Sequence, residues 1–230
     1  VEYNGSKKNN IVELFGGRCV VWSTPVIYDP EDPDPNRRFK MVIESGALYG
    51  HRLAVAYSAD GLRWRESPNN PVGPLVAHTG LVRFDGCYYV NGQDEMGYHG
   101  SHFGRARKLV TFASYDFERW TRASCLGFRR DDIPPRQTAP APNMAAEVHR
   151  GAGLWDRGNV IIGIYDMVHG SRTGDPAEIS MDLGLIVSND ALHYREPMPD
   201  FRLVPACGEP EVTLGRGPFI KRAQAICHVG

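Results

Sequence analysis

The chain of 230 residues carries 26 basic and 27 acidic side chains, a formal net charge of −1, so it lacks the basic excess of nucleic-acid binders and no nucleic-acid partner is expected. No apolar run approaches the roughly 20 residues needed to span a bilayer, and no membrane partner is expected. The five cysteines (Cys19, Cys87, Cys125, Cys207 and Cys227) show no CxxC or Cys/His spacing of a zinc site, so neither a metal nor a cofactor is expected.

The compartment stays open, a secreted or periplasmic placement included, and a single N-x-S sequon at Asn4 does not decide it. The opening VEYNGSKKNN has neither an initiator Met nor the apolar stretch of a signal peptide. A piece of a longer protein is expected.

In chain order, short β-branched and aromatic runs alternate with Gly, Pro, Asp and Asn turns, which signal strands and hairpins. TPVIY, the turn DPEDPDPNRR, FKMVIES and RLAVAYS lead into SADGLRW at 58–64. LVRF, the turn DG, CYYVNGQ and KLVTFAS lead into SYDFERW at 114–120. AGLW, the turn DRG, NVIIGIYDM and LGLIVS lead into SNDALHY at 188–194. Each heptapeptide reads S-x-D-x-x-x-aromatic and runs on into an outer strand, RWRES, RWTRA or HYREP. The three copies lie further apart than the roughly 34–47 residues of helical solenoid repeats, and helical periodicity is absent over any long window.

Three antiparallel four-stranded units in series predict an all-β fold, a β-propeller. Blade units are expected at about 20–67, 78–123 and 147–197, with the start of a further blade at 218–230, in one domain spanning 1–230. The Pro-rich stretch DDIPPRQTAPAP (131–142) reads as a loop between units. Because propellers close with four to eight blades, an incomplete ring is expected. In each heptapeptide the Ser and Asp are expected to bond the turn backbone and the aromatic residue to pack the outer strand, without chemistry of their own.

The S-x-D-G-x-x-W turn, the hairpin VRFDGCYYVNG and the segment EVHRGAGLWDRGNVIIGIYDM resemble the five-bladed propellers of glycoside hydrolase families 32, 43, 68 and 117, above all the uncharacterised family-32-like proteins. The similarity spans most of the chain. It implies cleavage of glycosidic bonds in small oligosaccharides by two carboxyl groups, one protonating the leaving oxygen and the other activating water or attacking carbon.

The resemblance also orients the blades. First strands begin at the site face and second strands end there, which leaves the turn residues Asp29, Asp85 and Asp156, with Asp60, Asp116 and Asp190, on the opposite face. Glu147 matches the place of the family 43 general acid. His78 stands where that family carries an acid-tuning aspartate, and Thr24 and Pro25 stand where it carries its basic aspartate. A replacement carboxylate is expected at the ends of second strands, among Glu44, Asp94, Glu95 and Asp166, with Asp94 and Asp166 favoured.

His78 would bind a sugar hydroxyl or transfer a proton, His149 and Arg150 would hold sugar hydroxyls or a carboxylate, and His169 would join them, with amides from Asn9 and Asn10. Tyr98, His99 and His102 would overhang the funnel and offer a stacking platform. The missing first-blade carboxylate keeps an alternative open, a non-catalytic propeller that binds carbohydrate or another protein.

Overall fold

The computed structural model describes residues 2, 4–8, 23–74, 76–93, 109–124, 127–128, 148–169, 180–198 and 201–204. Among them the strands form three antiparallel four-stranded sheets. The first holds β1 (Val26–Tyr28), β2 (Phe39–Ile43), β3 (Ala54–Ser58) and β4 (Arg65–Glu66). The second holds β5 (Ala77–Phe84), β6 (Cys87–Gln93), β7 (Leu109–Ser114) and β8 (Thr121–Ser124). The third holds β9 (Val148–Asp156), β10 (Ile161–His169), β11 (Ser180–Ser188) and β12 (Arg202–Val204). Within each sheet the strands neighbour one another in chain order, the meander of a propeller blade.

In the first sheet the apolar runs become inner strands covered on both faces, by the core shared with the second sheet and by a cluster of Met41, Ile43, Ala54 and Ala56, so β3 reads AVAYS with every residue buried. One core lies between the first and second sheets, where Val42, Val55 and Tyr57 meet Leu81, Tyr88 and Phe112. A second lies between the second and third, where Val82 and Leu109 meet Leu154, Tyr165 and Ile186. The strands β5 and β9 come closest at Gly80, where a Cβ would stand 2.0 Å from the carbonyl oxygen of Ala152. Any side chain there would force the two sheets apart.

The third sheet departs from expectation at its outer strand. HYREP makes only isolated bridges, Tyr194 to Phe128 and Arg195 to Val187, and Arg202–Val204 takes the outer place beside β11. Pro197 has no N–H to continue a ladder, and Tyr194 turns inward, 2% exposed, into the core shared with the second sheet. Two short helical turns also break the strand pattern, a 3-10 turn over Pro35–Arg37 and the helix α1 (Gly46–Tyr49).

The three heptapeptides fold alike. The hydroxyls of Ser58, Ser114 and Ser188 stand 3.0, 3.1 and 3.0 Å from Oδ1 of Asp60, Asp116 and Asp190. That same oxygen accepts from the backbone N–H groups two and three residues on, at 2.9 and 2.8 Å in every copy. The residue after each Asp is left-handed, with φ of +73° at Gly61, +63° at Phe117 and +62° at Ala191. A side chain there costs about 1–2 kcal/mol. In the second copy the buried Phe117 ring offsets that cost by packing edge-on to Tyr88 and Trp120, with centroids 5.1 and 5.3 Å away.

Asp60 is held down at about 2 by the N–H groups of Arg63 and Leu62. Burial would raise Asp190, but His193 and the turn N–H groups outweigh it and hold it at about 2. A carboxyl more acidic folded than unfolded stabilises the fold above its unfolded value of about 3.9, and that stability is lost as pH falls toward the folded value. Thermal melts are therefore expected to show stability falling between about pH 4 and pH 2. Replacing Asp60, Asp116 and Asp190 together by Asn should flatten this slope, and an unchanged slope would contradict it.

A buried ionic cluster clamps the first sheet to the second at the hairpin-turn face. Lys40 is fully buried; its Nζ donates to Asp32 and to the Arg37 carbonyl at 2.7 Å, and lies 3.8 Å from Asp29. The Tyr57, Tyr88 and Phe117 rings surround it, their centroids 5.8, 5.6 and 6.0 Å away. Asp29 also accepts from the Tyr88 hydroxyl and faces Arg83 at 3.5 Å. Tyr57 in turn donates to Glu118 at 2.6 Å. Asp29 is thus a structural partner at the turn, as its position in the hairpin suggested.

Candidate functional site

Strand register brings the starts of first strands and the ends of second strands to one mouth of the molecule. Ser23 bridges Glu44, Ala77 pairs with Gln93 and Val148 pairs with Val168. The hairpin turns, with Asp29, Asp85 and Asp156, lie at the other end of the same strands.

Glu44 is a carboxylate at the strand-end mouth whose proton affinity is strongly perturbed. Only 4% of it is exposed, its backbone N–H donates to the Ser23 carbonyl at 3.1 Å, and Oε1 lies 3.3 Å from Nδ1 of His51. Burial pushes its carboxyl up to about 7, against the opposing pull of His51. A carboxyl that changes protonation near neutrality is suited to proton transfer.

His51 reaches Glu44 because the chain doubles back after α1. Gly50 and His51 are both left-handed, with φ of +58° and +62°, and the N–H groups of Tyr49 and His51 both donate to the Ser45 carbonyl, at 3.0 and 3.3 Å. The His51 carbonyl then accepts from Val76 at 3.3 Å, two residues before His78, which ties the first sheet to the start of the second. The sequence places Glu44 at this mouth, but nothing in GALYGH marks His51 as its partner, since the pairing depends on two successive left-handed residues.

His78 is buried, 1% exposed, and stands opposite Gly92 on β6. Gly92 is required there, since a Cβ would meet the His78 Cα at 2.6 Å. Just beyond, β5 carries one extra residue, Thr79, between the pairs His78/Gly92 and Gly80/Asn91. The third sheet repeats this irregularity. Between the pairs Ala152/Tyr165 and His149/Met167, Arg150 and Gly151 of β9 face the single residue Asp166 of β10. Bulges of this kind re-aim side chains and cluster beside active sites. The first sheet keeps regular register from Val26 opposite Met41 to Tyr28 opposite Phe39, with Thr24 and Pro25 ahead of β1.

The backbone thus brings His149, Arg150, Asp166 and His169 to adjoining positions on β9 and β10 near this mouth. Glu147, Asp94, Glu95, Tyr98, His99, His102, Asn9 and Asn10 lie outside the described residues. Among the described residues no group of three His, Cys, Asp or Glu side chains could hold a metal ion, and no helix is long and apolar enough to cross a membrane.

Three sheets of four antiparallel strands, packed face to face with their first strands adjoining, define the blades of a β-propeller. The blades have the fold of the propeller glycoside hydrolases. The chain is similar to a thermostable family-43 glycoside hydrolase, with 16% identity over 80% of this chain and 55% of that one and a TM-score of 0.51. It is also similar to BT0996, solved as an RGII complex, with 17% identity over 79% of this chain and 50% of that one and a TM-score of 0.50. The chain spans about half the length of these two structures. No family model matches it, and no curated protein does.

Proposed function

We propose that the chain belongs to a glycoside hydrolase that cleaves small oligosaccharides at the strand-end mouth. The observation that carries this reading is Glu44, a buried carboxyl pushed up to about 7 and 3.3 Å from His51 at the mouth of a propeller of glycosidase fold. Glu147 gives its proton to the glycosidic oxygen as the bond to the anomeric carbon breaks. Asp94 or Asp166 takes a proton from the attacking water or bonds the anomeric carbon itself. Glu44, with His51 3.3 Å from it, holds a further proton at the same mouth. His149, Arg150, His169, Asn10, Tyr98 and His99 hold the sugar, whereas His78, expected to join them, is 1% exposed and too deeply buried to reach it.

A panel of aryl glycosides and fructosides, assayed for sugar release across pH, tests this reading. Because Glu44 keeps its proton below about 7, the rate should fall as pH rises through that value. The Glu44→Gln variant, fixed in the neutral form, should lose that limb. Absence of hydrolysis across the panel favours the second reading, a carbohydrate-binding propeller, for which Thr24 and Pro25 in place of a carboxylate ahead of β1 are the supporting observation.

A further inference from the structure

The opposite mouth has exposed aromatic rings that neither the clamp nor the proposed hydrolysis uses. Where the hairpin ends of β1, β5 and β9 converge, a cleft of about 360 Å³ is lined by residues that include Tyr28, Glu31, Arg83, Trp155 and Asp156. Tyr28 and Trp155, 53% and 54% exposed, are two aromatic rings on first strands that share this one cleft.

Each ring is braced from a neighbour rather than loose. Tyr28 stacks on Phe39 with centroids 4.7 Å apart and planes at 40°. Trp155 lies under the Arg157 guanidinium, 4.9 Å from its ring centroid. A braced ring loses little freedom when a ligand lands on it, so more of the contact energy appears as affinity.

Polar groups are fixed beside these rings. Arg83 holds Glu31 at 2.6 Å and Asp29 at 3.5 Å, and Asp156 accepts from the Gly158 N–H at 2.8 Å, leaving further acceptor capacity on both exposed carboxylates. Sugar rings present an apolar C–H face to an aromatic ring and hydroxyls at the rim to donors and acceptors. The cleft lining holds Asp29, Glu31 and Asp156 with Arg83, and Lys40 and Arg157 stand beside Asp29 and Trp155, so no excess of positive charge marks the cleft for an anionic sugar.

We propose that this mouth is a carbohydrate-binding site distinct from the strand-end mouth, taking a neutral oligosaccharide that stacks on Tyr28 and Trp155 while Glu31, Arg83 and Asp156 bond its hydroxyls. Since the two mouths share no residues, the proposal does not depend on hydrolysis.

Hexasaccharides of inulin-type fructan, α-1,5-arabinan and β-1,4-xylan serve as probes, followed by calorimetry and by the NMR signal of the Trp155 indole N–H. At least one probe is expected to bind with a Kd below about 1 mM and to shift that signal. Trp155→Ala and Tyr28→Ala should each weaken binding about tenfold, whereas Trp155→Phe should keep most of it. Both side chains are half exposed, so the variants should melt like the wild type. Glu44→Gln should leave this binding unchanged, which separates failure here from failure of the hydrolase reading. No binding by any probe, or binding indifferent to Trp155→Ala, would overturn the proposal. So would self-association of the chain through these rings, detected as concentration-dependent sedimentation that Trp155→Ala abolishes.

Discussion

Replacing Lys40 by alanine is expected to lower the stability of the fold by about 3–5 kcal/mol, the usual loss when one partner of a buried ion pair is removed. For a chain of this length that corresponds to a fall of about 6–20 °C in Tm. The loss has two sources. Asp32 loses its ammonium partner, and Asp29 the one 3.8 Å away, while the space enclosed by Tyr57, Tyr88 and Phe117 loses the stem that fills it.

Burial holds Lys40 below its ordinary proton affinity, with Asp32 and Asp29 pulling the other way, so the pair survives only because both charges are satisfied together. Lys40→Met restores the volume but takes the ammonium away from Asp32 and Asp29, which keep Arg37 and Arg83 as cationic neighbours. The double variant Lys40→Met/Asp32→Leu removes charge from both sides and should recover much of the loss. Urea unfolding of the three variants measures this. A loss below about 1 kcal/mol in Lys40→Ala would mean that the cluster is no stronger than a surface pair and does not clamp the two sheets.

The same lysine shows where sequence reading reaches its limit. Nothing in FKMVIES marks Lys40 as a buried residue. Its burial is decided by Tyr88, 48 positions away by residue number, and by Phe117, which lies in the turn of the next blade. The three turns were legible because their bonds are local, each Asp reaching backbone N–H groups two and three residues on. The left-handed Phe117 and Ala191 were not, since tertiary packing rather than glycine sustains them.

The third outer strand was misplaced because HYREP has the residues of a strand, while the competition between Tyr194 as a core side chain and the later RLV as an edge is settled only by packing. At the candidate site, the position of Glu44 at the end of a second strand was legible by counting strands. Its pairing with His51 was not, because it rests on the backbone reversal at Gly50 and His51. The bulges at Thr79 and at Arg150 and Gly151 were likewise invisible, since an extra residue in one strand shows only against its partner.

These bulges sit in the two blades that carry His78 and Asp166, and the third blade's first strand begins one residue after Glu147. Two of the register irregularities among the described residues thus fall on the first strands of the blades that carry His78 and Asp166, and two more fall on outer strands. Glu147→Gln keeps size and hydrogen bonding but cannot donate a proton as a carboxylic acid does, and loss of a positioned general acid costs about 10²–10⁴ in rate.

The most direct measurement is kcat/KM for wild type and Glu147→Gln on whichever glycoside the wild type cleaves, with a leaving group that needs protonation and one, such as dinitrophenolate, that does not. The account predicts a loss of about 10²–10⁴ on the first and a much smaller loss on the second. Equal rates for wild type and variant on the first substrate would contradict it.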